Sequence, residues 1–143
     1  MHIHQISVFL ENRIGQLAEI TNLLAEAGVD IRALSIAETS DYGLARMIVD
    51  DSQKASSILL QHGDILSMTP VWAVEVPDRP GGLAEVLGVL ADAGVDVEYV
   101  YAFVAKTGNH AWVVMRVNNN TEAERILREN NITLVSEADI AAV

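Results

Sequence analysis

The sequence repeats itself once at an offset of 66 residues, and this repeat constrains the fold more than any other feature. Residues 17–31 match residues 83–97 at nine of fifteen positions, and several of the differences exchange isoleucine for valine or glutamate for aspartate. Repetition at a fixed period indicates a duplicated structural unit. We therefore expect two copies of one small domain, residues 1–70 and residues 71–143.

Each copy shows the same order of hydrophobic patterns. An alternating stretch typical of a strand precedes a glycine-containing turn, and the spacing of an amphipathic helix follows. Gly28 and Gly94 stand where a left-handed backbone closes that helix. Residues 31–38 and 44–49 then predict a β-hairpin, as does the matching part of the second copy. The predicted turns are Ser40-Asp41-Tyr42-Gly43 and Lys106-Thr107-Gly108-Asn109.

A second helix and a final strand complete each copy. Thr121 and Glu124 fit a capping box at the start of the later helix. The equivalent helix of the first copy would be capped by Asp51 or Ser52.

The final strands are predicted near residues 65–69 and 132–136, because residues 65–76 align with residues 132–143. The order is βαββαβ twice, with the boundary near Pro70. We therefore predict an α+β protein of two ferredoxin-like domains. Each would have a four-stranded antiparallel sheet with both helices on one face.

The composition excludes several classes of function. The net charge of −11 would repel nucleic-acid phosphates and anionic lipids, so neither partner is expected. Cysteine is absent, which removes disulfides and thiolate chemistry. The sequence shows neither a signal peptide nor an apolar run of membrane-spanning length, so we expect a cytoplasmic protein without membrane contact.

Catalytic and cofactor motifs are equally scarce. The sequence has no phosphate-binding loop, dinucleotide fingerprint, nucleophile elbow or zinc-protease motif, so we expect a protein that is not an enzyme and needs no cofactor. His2 and His4 lack an evident third ligand, so no metal site is expected. Tyr99, Tyr101 and Phe103 form an aromatic stripe on one strand face, as in RNA-recognition domains, but the net charge argues against RNA. Aromatic residues are common in strands, so burial of the stripe against another sheet is the favoured alternative.

The loop before the first helix of each copy carries a family resemblance. Glu11-Asn12-Arg13-Ile14-Gly15-Gln16-Leu17-Ala18-Glu19-Ile20 and Val76-Pro77-Asp78-Arg79-Pro80-Gly81-Gly82-Leu83-Ala84-Glu85-Val86 resemble the opening loop and helix of ACT domains. The resemblance covers essentially the whole chain as a tandem ACT protein. It implies regulatory binding of amino acids between paired domains, through this loop and the start of the next strand. The second copy has the more typical Asp-Arg-Pro-Gly-Gly-Leu.

The chemistry of the loop independently suits an amino acid. Unpaired N–H groups at a helix N-terminus attract a carboxylate, and glycines let a ligand approach the backbone. A short acceptor in the loop would take the ammonium group, although such a residue also serves as a cap in ordinary tight turns. The expected ligand-binding residues are Asn12, Ile14, Gly15, Gln16, Leu17, Asp30, Ile31, Asp78, Pro80, Gly81, Gly82, Leu83, Asp96 and Val97.

Several of these roles have simpler alternatives. Arg13 and Arg79 would more often be partners in surface ion pairs than ligands of a carboxylate. Asp30 and Asp96 suit turn capping at least as well as amine binding.

The sequence thus predicts a sensor that binds a free amino acid at the junction of its two copies and acts on a separate enzyme or regulator of amino-acid metabolism. The exposed aromatic stripe favours a homodimer. The first alternative is a structural or regulatory subunit of a metabolic enzyme that has lost its ligand, and the second is an enzyme.

Overall fold

A computed structural model describes residues 2–38, 41–104 and 108–143. It divides the chain into two compact units. The first unit is His4–Thr69, and the second is residues 70–143 together with the chain's start up to Ile3. Ser40, Lys106 and Thr107 of the predicted hairpin turns lie outside the described residues.

The elements follow the predicted order throughout the first unit and as far as α4 in the second. In the first they are β1 (Ile3–Glu11), α1 (Gln16–Glu26), β2 (Ile31–Glu38), β3 (Tyr42–Val49), α2 (Ser52–His62) and the start of β4 (Leu66–Pro77). In the second they are the rest of β4, α3 (Gly82–Asp92), β5 (Val97–Ala102), β6 (His110–Val117), α4 (Asn120–Glu129) and α5 (Glu137–Ala142).

Antiparallel pairing joins the strands of each unit. Strand β3 lies between β2 and β1, and β6 lies between β5 and β4. A register shift falls between Ile31 and Ala33 in β2 and at the same place in β5, between Val97 and Tyr99. The two hairpins therefore share even their irregularity, and the predicted ferredoxin-like α+β fold is confirmed.

Each unit has its own core, built from equivalent positions. Leu24 and Leu90 are fully buried on the helices, as are Met47 and Met115 on the central strands. Gly28 and Gly94 close α1 and α3 with φ of 76° and 77°, as predicted. The remaining matched core pairs are Ile6 with Trp72, Val8 with Val74, Leu10 with Val76, Ile20 with Val86, Val29 with Val95, Ala45 with Val113, Val49 with Val117, Ala55 with Ala123, and Leu59 with Leu127.

Strand β4 and the hairpin turns differ from the predictions. The strand predicted at 65–69 runs without a break into the one predicted around Trp72. Pro70 fits within it because a proline has no N–H to leave unpaired, and its carbonyl accepts a hydrogen bond from Arg116 Nη1 at 2.9 Å. In the first hairpin, Tyr42 and Gly43 belong to β3 rather than to the predicted turn.

The end of the second unit also departs from its prediction. The strand expected at 132–136 is reduced to one bridge, between Leu134 and Val74. Helix α5 begins directly afterwards, held by a capping box between Ser136 and Asp139. The hydrogen bond that Asp139 accepts from the Ser136 amide lowers the pKa of its carboxyl. A strong local cap thus overrides the strand pattern inherited from the first copy.

The cap of α4 is Asn119 rather than Thr121. The Asn119 side chain accepts a hydrogen bond from the Glu122 amide at 3.1 Å, as Asp51 does from the Lys54 amide at the start of α2. The prediction of a Thr121 cap was therefore wrong by two residues, whereas Asp51 is one of the two caps predicted for α2.

This assignment gives a direct test of helix capping. Replacing Asn119 with alanine is expected to lower the free energy of unfolding by about 1 kcal/mol, because one orphan amide loses its acceptor. Thr121→Ala should change it by less than about 0.5 kcal/mol, since exposed helix positions tolerate alanine. Urea denaturation of both variants measures the difference. A larger loss in Thr121→Ala than in Asn119→Ala would contradict the assignment.

Candidate functional site

The loops that open α1 and α3 share two backbone features. Gly15 and Gly81 are the N-cap residues and lie in the left-handed region, with φ of 86° and 87°. Just before them, the amide of Arg13 donates to the carbonyl of Glu11 at 2.9 Å, and Arg79 repeats this bond with Pro77 at 2.9 Å. Duplication has therefore preserved two copies of one loop.

These two helices start differently from the others. Side chains cap α2, α4 and α5, through Asp51, Asn119 and Ser136 respectively. Helices α1 and α3 instead have a glycine as N-cap, which has no side chain to accept a hydrogen bond. Apart from the Gly82 amide, which donates to the Arg79 carbonyl, their first amides and the positive end of the helix dipole suit an anion such as a carboxylate.

Gly82 has a role that differs from the one expected of it. A Cβ at this position would lie 1.9 Å from the carbonyl oxygen of Pro77, so backbone already fills the space beside it. Its amide also donates to the Arg79 carbonyl at 3.0 Å. The turn in this conformation therefore has no room for a Cβ at Gly82, although the first loop has Gln16 at the equivalent position. A Cβ at Gly15 or Gly81 would meet nothing within 4 Å.

The side chains of the loops are mostly exposed. Asn12, Asp78 and Pro80 are exposed, and Ile14 is fully so at 103% relative accessibility. Leu17 is half-buried, and Leu83 is 37% exposed. The loops therefore present both a polar acceptor and an apolar side chain to their surroundings.

The two loop arginines make ion pairs within their own unit. Arg13 Nη1 lies 3.1 Å from Glu19 Oε2, and Arg79 Nη2 lies 2.7 Å from Glu85 Oε1. Both pairs join a loop to the first turn of the following helix. This is the surface ion pairing that the sequence favoured over carboxylate binding for these arginines.

Asp30 and Asp96 lie at the far end of their helices from the loops. The Asp30 amide donates to Asp50 Oδ1 at 2.9 Å, and the Asp96 amide donates to Asn118 Oδ1 at 3.0 Å. The Asp30 carboxylate also pairs with Arg32 Nη1 at 3.1 Å. Asp50 and Asn118 are thus matched structural residues that sequence reasoning missed.

Distance separates the expected site residues within each unit. The eleven residues of α1 span about 16 Å, so the Gly15 loop and Ile31 lie at opposite ends of the helix. Helix α3 separates the Gly81 loop from Val97 in the same way. A single unit therefore brings together the loop residues but not the starts of β2 and β5.

Each unit also has a cleft beside its loop. The first-unit cleft, of about 280 Å³, is lined by residues from the end of β1, the start of α1 and the turn after α2. The second-unit cleft, of about 300 Å³, has the equivalent position. The first-unit cleft contains His62 and Asp64, which sequence reasoning left out because their segment has no motif.

Across residues 2–38, 41–104 and 108–143, no group of three or more histidine, cysteine or acidic side chains is arranged to hold a metal ion. In the same part of the chain, no helix has the length and hydrophobicity needed to cross a membrane. His2, one of the two histidines considered for metal, contacts the edge of Trp72 with ring centroids 6.2 Å apart.

Comparison with known proteins identifies the family. A family model described as an ACT domain pair matches residues 1–143, so the chain belongs to that family. The crystal structure of protein BT0572 from Bacteroides thetaiotaomicron is similar over 100% of this chain and 98% of its own, with a TM-score of 0.93 and 37% identity.

Two further relatives are regulatory or small subunits of enzymes. The regulatory subunit of aspartate kinase from Thermus thermophilus, in its ligand-free form, has the same fold, with a TM-score of 0.66, 19% identity and 90% coverage of both chains. The acetolactate synthase small subunit of Aquifex aeolicus is 40% identical over 47 residues. That match spans 33% of this chain and 24% of the subunit, about a quarter of its length.

Proposed function

We propose that the chain is a regulatory protein that binds a free amino acid at the loops opening α1 and α3. Residues 1–70 and 71–143 would be its two ACT domains, and its target would be a separate enzyme of amino-acid metabolism. The observation that carries the proposal is the pair of matched helix starts, at Gly15 and Gly81, which lack side-chain caps.

The ligand would be held by its two charged groups. Its carboxylate would accept hydrogen bonds from amides at residues 15–17, or from those of Gly81 and Leu83 in the second unit, where the helix dipole favours negative charge. Its ammonium would face Asn12 or Asp78. Asp78 is the stronger acceptor because it is charged. Asp30, Ile31, Asp96 and Val97, at the other end of each helix, stay proposed ligand-binding residues.

The names of the relatives support a regulatory role. One similar fold belongs to a regulatory subunit of aspartate kinase, and a partial relative is an acetolactate synthase small subunit. Neither name describes a catalytic subunit. We extend this regulatory role to the present chain. We also propose that it acts as a homodimer, in which the partner subunit covers the half-buried Tyr99 and Tyr101.

A thermal-shift screen of the twenty amino acids tests the proposal. A ligand at one hundred times its Kd stabilises the folded state by about 2.7 kcal/mol, which corresponds to a rise in Tm of roughly 5–10 °C for a chain of this size. We expect one amino acid, or a few of similar shape, to give such a rise. If none of the twenty changes the Tm, the alternative of a regulatory subunit without an amino-acid ligand replaces this one.

A further inference from the structure

The first-unit cleft contains a buried polar atom without a partner. Gln16 lines this cleft from the first position of α1 and is only 7% exposed. Its Oε1 is buried and accepts no hydrogen bond. Buried acceptors in folded proteins are nearly always paired, because desolvation without a hydrogen bond is costly. A donor on a ligand in the cleft would supply the partner that this acceptor lacks.

A second buried acceptor lines the same cleft. The Asp64 side chain is 9% exposed and accepts a hydrogen bond from His62 Nδ1 at 2.8 Å. A carboxylate can accept about four hydrogen bonds, so this group retains capacity for another donor. His62 is held from both sides, since its Nε2 lies 3.1 Å from Glu19 Oε1.

The charged side chains that line the cleft are mainly negative. Glu11, Glu19 and Asp64 face only one guanidinium, that of Arg13, which leaves a formal charge of −2 when His62 is neutral. Glu19 lies in the first turn of α1, where it offsets the positive end of the helix dipole. Glu11 and Arg13 are 69% and 47% exposed, so they lie nearer to solvent than Gln16 and Asp64 do.

From these contacts we propose that the first-unit cleft binds a small organic amine through its ammonium group, with Gln16 Oε1 and the Asp64 carboxylate as acceptors. A volume of about 280 Å³ is at the small end of ligand pockets and suits a short aliphatic amine. The amine needs no carboxylate, so this site goes beyond the amino-acid site at the loop, which uses backbone amides.

The second-unit cleft serves as an internal comparison. Gly82 stands where the first unit has Gln16. Matching backbone hydrogen bonds, from Asp64 to Leu59 and from Ile132 to Leu127, place Asn130 and Ile132 where the first unit has His62 and Asp64, one residue away from the alignment of these segments expected from the sequence. Neither buried acceptor of the first-unit cleft has a counterpart there. Amine binding is therefore confined to the first unit, although the two clefts are similar in size.

An NMR titration of the full chain with putrescine tests this site, with 1,4-butanediol as an uncharged probe of equal length. Putrescine should shift the Gln16 side-chain amide and the backbone amides of Gly63 and Asp64 in a saturable way, and butanediol should not. Absence of saturable shifts up to millimolar putrescine would overturn the proposal, as would equal shifts with butanediol or shifts centred on Asn130 and Ile132.

Variants distinguish the loss of a specific acceptor in the cleft from the loss of negative charge elsewhere on the protein. Gln16→Leu and Asp64→Asn should each weaken putrescine binding at least about tenfold, the cost of one lost charge-assisted hydrogen bond. Gln16→Leu should fold as well as the wild type, because it removes an unpaired polar group. Glu26→Gln removes a charge at the other end of α1 and should leave binding within about twofold. Wild-type affinity in both cleft variants would refute the assignment without affecting the amino-acid screen.

Discussion

Replacing Gly82 with alanine is expected to lower the free energy of unfolding by about 3 kcal/mol, the upper end of the usual cost of overpacking. The new Cβ would lie 1.9 Å from the carbonyl oxygen and 3.0 Å from the carbonyl carbon of Pro77, so the turn must move. The first unit has Gln16 at the equivalent position, which shows that such a turn can accommodate a side chain. The variant should therefore fold, with the turn displaced and α3 less stable.

Gly88→Ala is the matched control for this prediction. Gly88 lies in the same helix, and a Cβ there would meet nothing within 4 Å. Alanine should raise the free energy of unfolding by about 0.5–1 kcal/mol, because glycine is unfavourable in a helix interior. Urea denaturation of the two variants should thus give opposite signs. Equal stability of Gly82→Ala and the wild type would show that the Pro77 turn is not closed as described.

Replacing Asp78 with alanine is expected to weaken binding of the best amino acid roughly ten- to hundredfold. The reason is the loss of one hydrogen bond between a carboxylate and the ligand's ammonium, worth about 1.5–3 kcal/mol. Isothermal titration calorimetry measures the change. Stability should be nearly unaffected, because the Asp78 side chain is exposed.

Two further variants accompany this measurement. Asp92→Ala removes an exposed carboxylate at the other end of α3 and should leave the affinity unchanged. Asn12→Ala tests the same role in the first unit, where the neutral amide should contribute less than Asp78 does. Wild-type affinity in both Asp78→Ala and Asn12→Ala would place the ammonium of the ligand elsewhere.

The repeat and its hydrophobic pattern were enough to predict the fold. Ile6, Val8 and Leu10 alternate as a strand does, and the matched helices bury Leu24 and Leu90, so pattern and packing agree. The left-handed glycines after α1 and α3 followed from helix-closing rules for the same reason. These features depend on local spacing, which the sequence displays directly.

Features that depend on competition between neighbouring signals were less predictable. Asn119 and Thr121 are both good capping residues, and the choice depends on which backbone position adopts the extended conformation. Residues 132–136 have the strand pattern of the first copy. They form only one bridge, however, and the capping box at Ser136 starts a helix directly after them. In both segments the position of a side-chain cap, at Asn119 and at Ser136, set where the helix begins.

Features that depend on three-dimensional approach were not predictable from the pattern. A glycine in a loop suggests either room for a ligand or a close backbone contact, and only the position of the Pro77 carbonyl decides for Gly82. The first-unit cleft joins Gln16 to Asp64, which are 48 positions apart in the chain. No periodicity or motif connects such residues, because the fold alone brings their segments together.

The most direct test of the account is an amide NMR titration with the amino acid that the thermal-shift screen selects. The central claim is that its carboxylate binds the uncapped starts of α1 and α3. The largest saturable shifts are expected at the backbone amides of residues 15–17 or 81–83, moved downfield by new hydrogen bonds. Largest shifts at the capped starts of α2 and α4, or along β5, with residues 15–17 and 81–83 unchanged, would contradict it.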